Sequence, residues 1–200
     1  MSLRGQRGYT AVELMMAIGM FGIGVAGIIG MEKVTAVSNQ HAKNLSMATH
    51  IAESWLDMLA TDAVTWNQPS LTGGAVPDIG NTVWLQAVTA NADGAGNWTL
   101  PAYDASLSFG PAFDALGNPV NPVTNPGAVA FCSHLRLSWL SQPTPAGNGL
   151  IRAEVRVFWL RDGQNFTQNM CSAGQILNVG TGLSTFHFVQ KIGAIRENDR

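Results

Sequence analysis

The sequence predicts an α+β fold, in which one long N-terminal helix is followed by an antiparallel sheet, and three observations predict it. Residues 9–31 form an apolar run of 23 residues whose only charge is Glu13. Beyond it, Val34, Val37, His41, Leu45, Ala48, Ile51, Ala52, Trp55, Met58 and Leu59 keep the three–four spacing of an amphipathic helix. Strand-like alternation appears only late, in residues 132–140 and 151–160. With the helix first and the strands last, the sheet covers its apolar face by packing on the helix's second half.

Four segments follow from this order: a leader at 1–8, an apolar helix at 9–31, its amphipathic continuation at 32–66, and a β-rich head at 67–200. As a helix, residues 9–31 span about 35 Å, enough for a hydrocarbon core of roughly 30 Å. Arg4 and Arg7 precede the run, and Glu32 and Lys33 follow it. The basic flank stays cytoplasmic, so the rest of the chain is expected across the membrane. An ordinary secretory signal fits poorly. Its apolar region is shorter and its small-residue cleavage site follows closely, whereas Ala36-Val37-Ser38 lies beyond two charges.

Gly8, Tyr9 and Glu13, set between a basic leader and an uninterrupted apolar helix, resemble the class III signal of type IV prepilins. The resemblance implies a type IV pilin fold, a transmembrane first half of the helix, and cleavage between Gly8 and Tyr9 by a prepilin peptidase that also methylates the new N-terminus at Tyr9. Tyr9 stands where the family more often has Phe, and Ala11 and Val12 where it has Leu or Ile. Residues 48–59 resemble the corresponding stretch of PilV-type minor pilins.

A carboxylate inside a membrane segment costs a few kcal/mol and marks a functional position. Glu13 is read either as an interfacial charge reaching the headgroups or as one half of a buried ion pair. The resemblance implies that its partner is the amine of Tyr9 on a neighbouring subunit. Such a pair sets register more than it stabilises. Glycines at 19, 22, 24, 27 and 30 are frequent for a helix, and Gly22, Ala26 and Gly30 form a small-residue stripe. Small residues let helices approach closely in lipid; equally, glycine is simply common in membrane helices.

Trp66-Asn67-Gln68-Pro69 ends the helical pattern, with the last helical turn expected near Ala63. Residues 67–127 are rich in Gly, Pro, Asn and Thr, with short apolar pieces at 83–88, 98–100 and 107–109, and they read as loops around short strands. The Asn- and Pro-rich run 117–127 is expected to be an exposed loop. Strands are expected at 132–140, 151–160, 165–170 and 185–192, with Asp162-Gly163 as a turn. In the second of these, Ile151, Ala153, Val155, Val157 and Trp159 form one face. Arg152, Glu154 and Arg156 form the other, and the bases Arg136, Arg152 and Arg156 are expected to form a solvated face.

Cys132 and Cys171 are the only cysteines, an even number on the side facing an oxidising compartment. A disulfide is the expected state, against two free buried thiols. Removing Arg4 and Arg7 takes 11 basic residues to 9 against 13 acidic, a net of −4. No Lys or Arg occurs between Lys43 and Arg136, where seven acidic residues do. A nucleic-acid surface needs the opposite balance, so no nucleic acid is expected.

The sequence contains no phosphate loop, dinucleotide glycine pattern or clustered metal ligands, so no catalytic residue, metal or cofactor is expected. His41, His50, His134 and His187 are dispersed and read as hydrogen-bonded structural residues. Segments 93–97 and 114–118 lack the repeated acidic positions of a hand-type calcium loop and read as turns. Most of the six Trp residues are expected in the core.

The resemblance implies a minor pilin of a type IV pilus system, held first in the bacterial inner membrane with its head in the periplasm, then in a filament, in a priming or tip complex, supporting motility or adhesion. Its partners would be other minor pilins, the major pilin, the prepilin peptidase, the assembly platform and the lipid bilayer. A minor pseudopilin of a type II secretion system shares the same N-terminal pattern, as does a DNA-uptake pilin. A single-span exported enzyme or binding protein is the rival from another class.

Overall fold

The computed structural model describes residues 9–66, 68, 78–90, 96–143, 149–161, 169–172 and 184–197. The first element is helix α1, Ala11–Trp66. The chain divides into two units, Met1–Lys43 and Asn44–Arg200, so α1 contributes to both.

Within the second unit, α1 buries Ala48, Ile51, Ala52, Trp55, Leu59, Asp62, Ala63 and Trp66. The spacing is that of the predicted stripe, continued one turn past Ala63 before Pro69 stops it. The stripe packs on an antiparallel sheet of six strands. These are β1 (Trp98–Thr99), β2 (Ala112–Phe113), β3 (Pro119–Val120), β4 (Phe131–Ser141), β5 (Leu150–Leu160) and β6 (Phe186–Arg196). The order is β3-β2-β4-β5-β6, with β1 also pairing with β4. The long strands pair over most of their length, with a register shift between Trp139 and Ser141 of β4, and Val155 faces Leu135 on one side and Lys191 on the other.

Alternation assigns the faces. Leu135, Leu137, Ile151, Ala153, Val155, Val157 and Ile195 join the helix residues in one core. There Trp55 packs edge-on against Trp84 and Phe109 at 5.5 and 4.7 Å between ring centroids. The indole N–H of Trp55 donates to Ser133 Oγ at 2.8 Å, and that hydroxyl donates to the Pro111 carbonyl at 3.1 Å. The buried polar atoms of this pair are thereby satisfied. At Gly193 the sheet comes so near the helix that a Cβ would lie 2.9 Å from Leu56 Cδ2. Beside it, Lys191 pairs with Glu53 of α1.

The opposite face of the sheet carries a second, smaller core of Ala112, Cys132, Phe158, Met170, Cys171 and Phe186. The disulfide Cys132–Cys171 is formed and ties the segment after β5 to β4.

Some details differ from expectation. The closing strand runs four residues past 192, because every β6 residue finds a partner on β5. Asn169 and Met170 are not strand: Met170 lies in a turn, and the rest of the expected strand at 165–170 and the Asp162-Gly163 turn lie outside the described residues. Residues 83–88 fall largely in a short 3-10 helix, Leu85–Ala90, rather than a strand. The 117–127 run is not plain loop: Pro119 and Val120 close a hairpin with β2, and Gly117 takes φ +83° at its turn. Asp114 receives the backbone N–H groups of Leu116 and Asn118 there, which is turn chemistry.

The largest correction concerns the polar face of β5. Glu154 and Arg156 are buried, and only Arg152 is well exposed. The reason is lateral cover. Trp98 lays its ring over Arg136 and Arg156, while Arg136, Arg152 and Gln190 all converge on Glu154.

Candidate functional site

The N-terminal part of α1 is the candidate site, and it is built from very little. Thr10 opens the helix: its carbonyl accepts from the N–H of Leu14 at 3.1 Å, and its Oγ1 from the N–H of Glu13 at 3.3 Å. Thr10-Ala11-Val12-Glu13 is thus one half of a capping box, a signal legible in the sequence and missed there. The carboxylate of Glu13 has no partner among the described residues. It stands exposed in the first turn, where the helix dipole favours a negative charge.

From there the helix is apolar all round. Val12, Leu14, Met15, Met16, Ile18, Met20, Phe21, Ile23, Ile28, Ile29, Met31 and Val34 are exposed, Phe21 at 73% and Ile23 at 77%. In water, transfer free energies of about 25 cal/mol per Å² make such a surface strongly unfavourable. The helix is long and apolar enough to cross a membrane, and its apolar window buries nothing within the chain.

Gly22, Ala26 and Gly30 lie on this exposed part. A Cβ built at Gly22 or Gly30 would meet nothing within 4 Å, so no contact within the chain requires glycine there. Tyr9 is also exposed, and Gly8 lies outside the described residues. The structure therefore places Tyr9 just before the helix and Glu13 in its first turn, and leaves the small-residue stripe open. Cys132 and Cys171 belong to the head.

In the head, the buried carboxylate that α1 contributes is structural. Asp62 is buried and accepts the backbone N–H groups of Val83 and Trp84 at 2.8 Å each and of Leu85 at 3.1 Å. It holds the start of the 3-10 helix Leu85–Ala90 against α1, capping donors that would otherwise be orphaned. A shallow cavity of about 130 Å³ lies beneath Trp84, between Leu100, Leu135 and Leu137. Its walls are largely apolar. Among the described residues no group of three or more His, Cys, Asp or Glu side chains is placed to hold a metal ion.

His134 is fully buried in β4, as a structural histidine should be, with its Nδ1 accepting from Arg156 at 3.1 Å. Burial, and secondarily the neighbouring Arg156 charge, push its pKa down to about 3.

No protein-family model, curated protein or solved structure matches the chain.

Proposed function

We propose that this chain is a filament-assembly subunit of the type IV pilin kind, acting as a minor pilin. The observation that carries the reading is an exposed, all-round apolar helix that opens on an unpartnered carboxylate, joined to a head that buries its own core. A helix without a polar face needs an apolar surrounding, and two are available in turn: the inner membrane before assembly, and the helices of neighbouring subunits afterwards. Glu13 then meets the amine of Tyr9 on the next subunit and sets the register between them. The Cys132–Cys171 disulfide supports a head that matures in an oxidising compartment such as the periplasm. Prepilin peptidase, the major pilin, other minor pilins and the inner-membrane assembly platform are the partners this reading assigns, and catalysis has no part in it.

The test is the mass of the mature N-terminus in the native host. Cleavage after Gly8 with a methylated Tyr9 is the expected result; an intact Met1 or a cut near Ser38 overturns the reading. In parallel, Glu13→Ala should remain membrane-inserted while its recovery in sheared filaments falls by roughly tenfold or more, the equivalent of one desolvated charge pair. Recovery at the wild-type level refutes the pairing role. Loss of surface filaments on deletion, rather than loss of exported enzymes, separates a minor pilin from a secretion-system pseudopilin.

A further inference from the structure

We propose that the face of the sheet opposite α1 binds a carboxylate presented by an acidic segment of a partner polypeptide, with Arg156 as the anchor. The site belongs to residues 44–200 and stands whether or not the apolar helix works as assigned above.

Register builds it. Across β4 and β5, His134 faces Arg156, Arg136 faces Glu154, and Ser138 faces Arg152. Glu154, 2% exposed, takes both Arg136 and Arg152 and also accepts from the Gln190 amide at 2.7 Å. That carboxylate is therefore saturated, and Arg156 is left without one among the described residues. Its guanidinium lies 4.2 Å over the Trp98 ring and, among the described residues, donates only to His134 Nδ1, and the residue is 7% exposed.

Two donors remain unused. Arg156 Nε has no hydrogen-bond partner. Because His134 Nδ1 is the acceptor, the ring proton sits on Nε2, which is also buried and unpartnered. Among the described residues, three guanidiniums and one carboxylate leave this cluster with a surplus of two positive charges; register places Arg196 on the same face of the sheet. A buried arginine lacking a counter-charge is costly, and the stacked indole offsets only part of that cost. An incoming carboxylate would supply the missing counter-charge to the guanidinium, whose planar fork matches that geometry.

The surround favours a polypeptide over a free anion. Phe188 and Ile192, both exposed, share this face with the half-exposed Arg136 and Arg152. Apolar side chains mixed with arginine are the composition of a protein interface.

The test uses the full chain in a neutral detergent, titrated calorimetrically with capped hexaglutamate and hexaglutamine peptides. Hexaglutamate should bind, more weakly as salt rises, and hexaglutamine should not. Arg156→Met should weaken hexaglutamate binding by roughly tenfold or more, while Arg196→Gln, the same charge change on the same face, should cost less than about threefold. Arg156→Lys keeps the charge without the fork and should fall between them, which decides the matter if Arg156→Met does not fold. Equal effects of Arg156 and Arg196 variants, or binding of hexaglutamine, overturn the proposal. Inorganic phosphate binding as tightly as hexaglutamate overturns the polypeptide assignment.

Discussion

Residues 11–43 and 44–66 are turns of one helix, yet they solve opposite problems. The second stretch is amphipathic and buries Trp55, Leu59 and Trp66 against a sheet whose inner face alternates to receive them. The first has no polar face over residues 14–31, and its apolar window buries nothing in the chain. Backbone hydrogen bonding makes both helical; the distribution of side chains decides which solvent each can tolerate. One substitution in each stretch's apolar surface would therefore fail differently. Phe21→Lys places a charge in the middle of the apolar run, costing about 3 kcal/mol in lipid, so alkaline carbonate should extract it from membranes while the head's melting temperature stays unchanged. Trp55→Ala should do the reverse, leaving insertion intact and destabilising the head by about 3–5 kcal/mol in urea titrations followed by Trp fluorescence. Parallel behaviour of the two variants would break the comparison.

The helix also carries two carboxylates that sharpen it. Asp62 sits in the apolar stripe of the head and accepts three backbone N–H groups, whereas Glu13 has no partner among the described residues. Asp62→Ala strands three donors at once, and about 2–4 kcal/mol of head stability should go with them. Glu13→Ala should move that same melting curve by no more than about 0.5 kcal/mol. A large shift for Glu13 would mean that its partner is inside the chain.

Much of this was legible in the residues. The apolar run, the three–four stripe and the late alternation place α1, β4 and β5 to within a few residues, because each rests on a long periodic pattern. The disulfide followed from the count of cysteines. Asp62 was hidden by its type: an acid on the apolar face between Leu59 and Trp66 looks like an interruption until the segment 83–85 folds over it. Its spacing from Trp55 was the available signal. The burial of Arg156 and Glu154 was illegible for a different reason. Strand alternation tells which side chains share a face, but whether that face is wet depends on Trp98, thirty-eight residues before Arg136 in the chain and brought over it by the short β1 ladder. The two-residue strands of the 96–120 region carry too little pattern to announce themselves.

A change of pH alone isolates the head's buried polar pair. His134 is held neutral in the native state, with its pKa pushed down to about 3, against about 6.5 in an unfolded chain. Below 6.5 the unfolded state takes up a proton that the native state refuses, so this contribution is fully present above that pH and is lost as pH falls toward 3. The slope is about 1.4 kcal/mol per pH unit for one proton. Glu53, held down by Lys191, and Asp104, held down by Ser106 and Leu107, also make stability fall with acid. Their native pKa values lie below the ordinary carboxylate range, so their loss begins only near and below pH 4.5. Asp114 behaves alike: burial opposes, but the hydrogen bonds from Asn118, Leu116 and Gly117 prevail and lower it. The interval from pH 6 to 4.5 therefore separates His134 from the lowered carboxylates, and urea midpoints across it should record a loss of about 2 kcal/mol. His134→Asn, which cannot titrate, should flatten that step. If the step survives the substitution, the proton is being taken up elsewhere, and the neutral His134 that leaves Arg156 its unpaired charge is not the group being titrated.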